Sequence, residues 1–241
     1  MIALFATACG GSAKSAGAGN GSDGVVITPL GTPGEGSTAT TGGSSNDGGP
    51  APTNEPVSST LSGFIFPIQG GCLPVGDQLM PNAPREYRQG THEGVDFYNA
   101  DNCTAIGVAT PIVAAKSGVV IRADLGYVDL TLERYQELAA NLTSAESLDA
   151  FRGRQVWIDH GNGVVTRYCH LSGIADGVTQ GTVISAGDVI AFVGESGTPE
   201  SINNPGSQYH LHFEVRVGDS YLGAGLPPEE VRALYVELFG Q

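Results

Sequence analysis

From Phe64 onward the apolar residues come in short runs, each closed by glycine or asparagine, with little helical period between most of them. The runs are Phe64-Ile-Phe-Pro-Ile68, Pro111-Ile-Val-Ala-Ala115, Gly118-Val-Val-Ile-Arg122, Gln155-Val-Trp-Ile-Asp159, Gly163-Val-Val-Thr-Arg-Tyr168, Val189-Ile-Ala-Phe-Val193 and His210 to Val217. Segments rich in β-branched and aromatic residues, bounded by turn residues, read as strands. Strands this closely spaced, without helices between them, argue for a mainly β domain, an antiparallel sheet folded as a sandwich or barrel.

Two stretches depart from that pattern. In 130–152, Leu130, Tyr135, Leu138 and Leu142 follow helical spacing, and Thr143-x-x-Glu146 has the form of a capping box opening a second short helix. This predicts a helical hairpin inserted between two strands. At the end of the chain, 227–239 starts with proline, carries acids in its first turn and stops at Gly240. Val231, Leu234, Tyr235 and Leu238 form one apolar face, so a helix docked on the sheet is expected.

The N-terminal quarter is different in kind. Residues 10 to 57 are dominated by Gly, Ser, Thr, Ala, Pro and Asn. Such a composition buries too little apolar surface to offset chain entropy, so 10–60 is expected to be a disordered linker. The domain is then 61–241, about 180 residues, enough for a sizeable core. Ahead of the linker, Met1-Ile-Ala-Leu-Phe-Ala-Thr-Ala-Cys9 resembles the tail of a bacterial lipoprotein signal. The resemblance implies an exported protein held to the membrane by a lipid on Cys9, in the cell envelope, with the linker as a tether reaching roughly 40 Å. The chain has 11 basic and 25 acidic residues, a formal charge of −14. Nucleic-acid binding needs clustered Lys and Arg, so that class is excluded.

Of the other cysteines, Cys72 and Cys103 flank the first histidine motif in Gly-, Asn- and Pro-rich loops, and an oxidising compartment favours their pairing. Cys169 sits among apolar strand residues and reads as a small buried side chain.

The chemistry lies in five histidines distributed over three motifs: His92-Glu93-Gly94-Val95-Asp96, then His160-Gly161-Asn162-Gly163 leading to Tyr168-Cys169-His170-Leu171, then His210-Leu211-His212-Phe213-Glu214. His210, His212 and Glu214 are two apart in a strand and share one face. His92 and Asp96 offer a nitrogen and a carboxylate oxygen, both zinc donors. Taken singly, each motif is weak, since His-x-His also occurs in cupins and carbonic anhydrases. Together they supply ligands for one zinc site with histidines to spare for proton transfer.

In this combination and order, His-x-Gly-x-Asp, Tyr-x-His-Leu and His-x-His, the sequence resembles the lysostaphin-type, or LytM-like, zinc metallopeptidases that cut peptide bonds in bacterial cell walls. Thr110-Pro-Ile-Val-Ala-Ala-Lys-Ser-Gly118 and Ala186-Gly-Asp-Val-Ile-Ala-Phe-Val-Gly194 fit as well, and the resemblance spans 62–218. It implies the family's duplicated, mainly β fold and one zinc ion per domain, held by His92, Asp96 and His212. It also implies that His170 and His210 are catalytic histidines outside the ligand set, and that the substrate is the stem or cross-bridge peptide of peptidoglycan. His160 matches a turn of the family and is expected to be structural. For Glu214 the readings are even between a group that hydrogen-bonds a histidine and an ordinary strand carboxylate. A second reading is a non-enzymatic relative that binds cell wall or activates amidases. It is disfavoured because all three ligand positions and both catalytic positions are filled. The insertion 130–152 and the loop 198–208 are longer than the family's usual connections and are expected to line or cover the groove.

Overall fold

The computed structural model describes residues 61–86 and 89–240; the expected linker and Cys9 lie outside them. Among the described residues twelve strands and four α-helices follow in chain order. Strands β1 (Pro84–Arg85) and β2 (Gly90–Thr91) form a small hairpin, and β3 (Val95–Tyr98), β4 (Pro111–Val113) and β5 (Gly118–Ala123) come next. Helices α1 (Leu132–Ala139) and α2 (Ala145–Phe151) interrupt the connection to β6 (Val156–Asp159). Then come β7 (Val164–Cys169), β8 (Leu171–Ile174), β9 (Val183–Ile184) and β10 (Val189–Val193). The chain ends with α3 (Pro199–Asn203), β11 (His210–Val217), β12 (Ser220–Tyr221) and α4 (Pro228–Phe239).

All pairings are antiparallel. The main sheet runs β12-β11-β7-β6-β5-β9, with β3 also on β11, and a second sheet runs β4-β10-β8. A bridge between Gly194 and His210 joins the two. The expected mainly β class, with a helical insertion and a C-terminal helix, is what the chain forms. Between the sheets lies a core that includes Phe97, Ile112, Tyr168, Leu171, Ile190 and Phe213. The Tyr168 hydroxyl crosses it and accepts the backbone N–H of Ala115 at 2.8 Å. Helix α4 buries Val231, Tyr235, Leu238 and Phe239, and Phe239 stacks on Phe66 at 4.2 Å. Gly240 ends the helix in the left-handed conformation a C-terminal glycine adopts most readily. Cys72 and Cys103 form a disulfide, and Cys169 is free and buried. Among the described residues no helix is long and apolar enough to cross a membrane.

Three local expectations are corrected. Phe64–Ile68 is not a strand. Pro67 has no N–H to give a ladder, and the segment is held by two isolated bonds, Ile65 N to Ala115 O and Val113 N to Pro67 O, each 2.8 Å. The cap of α2 is Ser144, one residue later than Thr143; its hydroxyl accepts the Ser147 N–H, while Thr143 donates to Asn141 Oδ1. The loop 198–208 contains α3, for which Thr198 is the N-cap and Pro199 the first residue.

His160 belongs to the turn before β7. Its Nδ1 donates to Ser117 O and its Nε2 meets Thr166 Oγ1, both at 2.8 Å. Burial holds its pKa below the ordinary 6.5, against the opposing pull of the Ser117 carbonyl. The native state therefore favours the neutral ring, and that contribution is complete above pH 6.5 and is lost as pH falls through the lower folded value. The melting temperature is expected to drop between about pH 7 and pH 5, with a shallower slope in His160→Gln. Equal slopes in the two proteins' thermal melts would refute this. A second prediction concerns Gly94, where a Cβ would lie 2.4 Å from Phe213 O and 2.9 Å from His212 Cε1. Gly94→Ala forces β3 and β11 apart and is expected to cost about 1–3 kcal/mol in denaturant unfolding.

Candidate metal centre

Strand β11 carries two environments on its two faces. Leu211, Phe213 and Val215 are fully buried in the core, and His210, His212 and Glu214 alternate with them on the other face. Strand β3 repeats the alternation, with Val95 and Phe97 in the core and Asp96 between them. The antiparallel register sets Asp96 directly opposite His212 and Tyr98 opposite His210. His92 precedes β3, and its backbone is tied on both sides: His92 N donates to Ala83 O and His92 O accepts Asn82 N.

These elements bring three donor atoms together. Asp96 Oδ1 lies 2.7 Å from His212 Nδ1 and 2.9 Å from His92 Nε2, and the two nitrogens are 3.0 Å apart. The far nitrogens decide what these atoms carry. His92 Nδ1 is 3.0 Å from Met80 O, and a carbonyl can only accept, so Nδ1 holds the proton and Nε2 presents a lone pair. His212 Nε2 is 3.2 Å from Glu214 Oε1, so in the neutral ring Nδ1 presents a lone pair too. Three lone-pair donors thus face one another at contact distance. A single proton on His212 Nδ1 would satisfy Asp96 but would leave His92 Nε2 against the same carboxylate oxygen. A cation satisfies all three at once, and two imidazoles with one carboxylate suit zinc. Among the described residues this is the group of His, Cys, Asp and Glu that can hold a metal ion.

The surrounding charges act on the same three residues. Burial disfavours an ionised Asp96, yet the imidazoles of His92 and His212 set against it hold its carboxyl well below the usual range. Arg85 Nη2 sits 3.2 Å from its other oxygen. Burial keeps His92 below the ordinary imidazole value. It opposes charge on His212 as well, but the Asp96 and Glu214 carboxylates raise that pKa.

His170 and His210 stand beside the cluster, their rings 4.6 Å apart. His170 follows β7 with φ of 60°, a left-handed conformation that turns the chain from β7 into β8. Its N–H is held by Arg152 O at 2.8 Å, and its Nδ1 donates to Ser196 O at 2.9 Å. His210 stacks on Tyr98 at 4.3 Å, and its Nδ1 donates to Gln208 O at 2.7 Å. In both rings a carbonyl accepts the Nδ1–H, so Nε2 is the basic atom; that of His210 lies 3.9 Å from Asp96 Oδ1. Burial holds both pKa values down, that of His170 furthest, with His210 adding to the effect.

All five predicted site residues therefore line one cleft of about 730 Å³, and His160 is not among its walls. Tyr135, Leu142, Leu148 and Phe151 of the helical insertion form an apolar side of the cleft, and Thr198, Pro199 and Glu200 of the α3 segment also line it. The expectation that both long connections reach the groove is met. Glu214 is no ordinary strand carboxylate: it is fully buried and bonds His212, Arg152, Arg167 and Arg216. The residue that reading the sequence did not single out is Arg152. It lies 62 positions from Glu214, and only the fold brings them together.

A family model, Peptidase family M23, matches residues 90–223, which contain every residue of the cluster. Over 80 residues the chain is 40% identical to the DD-carboxypeptidase/endopeptidase Mpg of Neisseria meningitidis serogroup B and equally to that of Neisseria gonorrhoeae. That stretch covers 31% of this chain but only 16% of either relative. Among solved structures, a zinc-containing peptidase from Vibrio cholerae aligns at 22% identity and TM-score 0.44, covering 68% of this chain and 41% of that one. The catalytic domain of the antimicrobial peptidase lysostaphin from Staphylococcus simulans aligns at 20% identity and TM-score 0.40, covering 73% and 97%. With the family pattern matched over more than half of its length, this chain belongs to peptidase family M23.

Proposed function

We propose that this chain is a zinc-dependent endopeptidase that hydrolyses peptide bonds in the stem or cross-bridge peptides of peptidoglycan. The observation that carries the reading is the convergence of three lone-pair donors, His92 Nε2, Asp96 Oδ1 and His212 Nδ1, within 2.7–3.0 Å of one another. These residues would hold the ion, which supplies Lewis acidity and a water acidified toward neutral pH. Membership of a peptidase family supports peptide-bond hydrolysis, and the stretch shared with the Neisseria relatives supports cell-wall peptides as the substrate.

The protein's own groups do the rest. His170 and His210 keep Nε2 free, because backbone carbonyls hold their Nδ1 protons. A basic nitrogen in the cleft takes a proton from the attacking water, and the resulting imidazolium can hydrogen-bond the developing oxyanion or return the proton to the leaving amine. Tyr98, stacked on His210, fixes the plane of that ring. The walls from the insertion and α3 exclude water from the bond being cut. On this reading the domain works in the cell envelope, with Cys9 as a lipid anchor and 10–60 as the tether. The Cys72–Cys103 disulfide agrees with an oxidising compartment.

Purified protein is expected to carry about one zinc per chain by elemental analysis. It should release peptide fragments from isolated peptidoglycan, a chelator should abolish this, and added zinc should restore it. His170→Ala is expected to keep the metal and lose about 10²–10⁴-fold in kcat/KM. A zinc-loaded protein that releases no fragment from any peptidoglycan type would overturn the reading. The anchor is checked separately: in a bacterial host the full chain should fractionate with membranes and Cys9→Ser should not.

A further inference from the structure

At the point where the helical insertion meets the cluster, a single side chain reaches the carboxylates beside two of the proposed ligands. Arg152 follows the last residue of α2 and caps that helix. Its Nε donates to Glu214 Oε1 at 2.6 Å and its Nη2 to Glu93 Oε2 at 2.7 Å. Its Nη1 donates to Leu148 O at 3.2 Å within its own helix, and its carbonyl accepts the N–H of His170 at 2.8 Å. Glu214 is the partner of His212, and Glu93 is the chain neighbour of His92.

We infer that Arg152 is a positioning residue for the metal site: its guanidinium fixes the carboxylate that orients His212, and its carbonyl fixes the backbone of His170. The inference rests on the metal reading above. Glu214 is fully buried, and a buried carboxylate needs every oxygen matched to a donor. Oε2 takes Arg167 Nη1 at 3.2 Å and Arg216 Nη1 at 3.4 Å. Oε1 has Arg152 Nε at 2.6 Å and His212 Nε2 at 3.2 Å. The shorter, charge-assisted bond from Arg152 therefore sets where Oε1 stands, and Oε1 sets the direction of the His212 ring. The planar fork of arginine meets Glu214 and Glu93 at once, which the point charge of lysine does not.

The backbone around Arg152 is built for this contact. A Cβ on Gly153 would stand 2.1 Å from Ser196 O, and one on Gly197 would stand 2.4 Å from Gly153 N. Ser196 O is the acceptor of His170 Nδ1. The end of the insertion thus supplies one of the two groups that orient His170 and is pressed against the other. The insertion is more than a wall of the cleft: its last residue belongs to the support of the site. Arg122 provides the contrast. It grips Asp149 of the same helix at 2.6 and 3.0 Å and touches neither Glu214 nor Glu93.

The test is zinc affinity of the full chain, read by competition with a chromophoric chelator and needing no substrate. Arg152→Met is expected to bind zinc about 10–100-fold more weakly than the parent, as loss of an orienting partner does. Arg152→Lys is expected to fall between them, with shifted visible bands in the cobalt(II)-loaded protein. Arg122→Gln is expected to match the parent. If Arg152→Met fails to fold by circular dichroism, the lysine variant decides. Parent-like affinity and cobalt bands in a folded Arg152→Lys overturn the inference, as does an equal loss in Arg122→Gln, which would assign the effect to docking of the insertion. A parent protein that binds no zinc overturns the metal reading and the inference together. A parent that binds zinc beside unaffected variants overturns the inference alone.

Discussion

Strand β11 pairs with β3 on one edge over His210–Phe213 and with β7 on the other over His212–Val217, so His212 and Phe213 are held from both sides, and the cluster follows from that double pairing. His212 lies opposite Asp96 on one side and Cys169 on the other. The first partner supplies a donor atom, and the second is followed at once by His170. Slipping β11 by one residue would send His210, His212 and Glu214 into the core and bring Leu211, Phe213 and Val215 to the surface. Burial of Phe213 against Tyr168 and Phe97 therefore holds the register that holds the site. Gly94 lets β3 approach closely enough, since any side chain there would meet the Phe213 carbonyl.

The same arrangement carries a cost in buried charge. Asp96 and Glu214 both lie in the interior, with guanidinium groups set around them: Arg85 on Asp96, and Arg152, Arg167 and Arg216 on Glu214. A fully buried ionised carboxylate is tolerable only with matched partners. Glu214 has them, and its carboxyl stays well below the usual range although burial pushes the other way. Arg216 also reaches Glu93 at 2.9 Å, so the network extends from behind His212 to beside His92. An acidic chain with few basic residues spends four of its 11 on these two carboxylates, a use that net charge does not reveal.

What the sequence discloses follows the range of the interaction. Strands with period-two patterns, such as His210 to Val217, and α4 with its proline start and glycine stop are legible because their signals are local. The three histidine motifs are legible because each keeps its spacing within one strand or turn. Phe64–Ile68 has the composition of a strand, but pairing is a property of two segments, and Pro67 removes a donor. The cap of α2 fell on Ser144 because its hydroxyl, not that of Thr143, reaches the Ser147 N–H. Thr198-Pro199 held the signal of α3 in plain form, a capping hydroxyl before a first-turn proline. Arg152 had no local signal at all, because its partners are 59 and 62 residues away.

His210 and His212 show why spacing alone stops short of roles. They share a strand, a face and nearly the same burial, and both lie near Asp96. What separates them is the partner of the nitrogen facing away from the reacting atoms. Glu214 accepts the Nε2–H of His212, which leaves Nδ1 as the lone pair, 2.7 Å from Asp96. Gln208 O accepts the Nδ1–H of His210, which leaves Nε2 as the lone pair, 3.9 Å from the same oxygen. The first geometry suits a ligand and the second a group that exchanges protons beside it. One acceptor is a buried side chain two residues along the strand, and the other is a carbonyl in the loop before it. On the proposed reading, the division of labour between two identical residues rests on groups that carry no chemistry of their own.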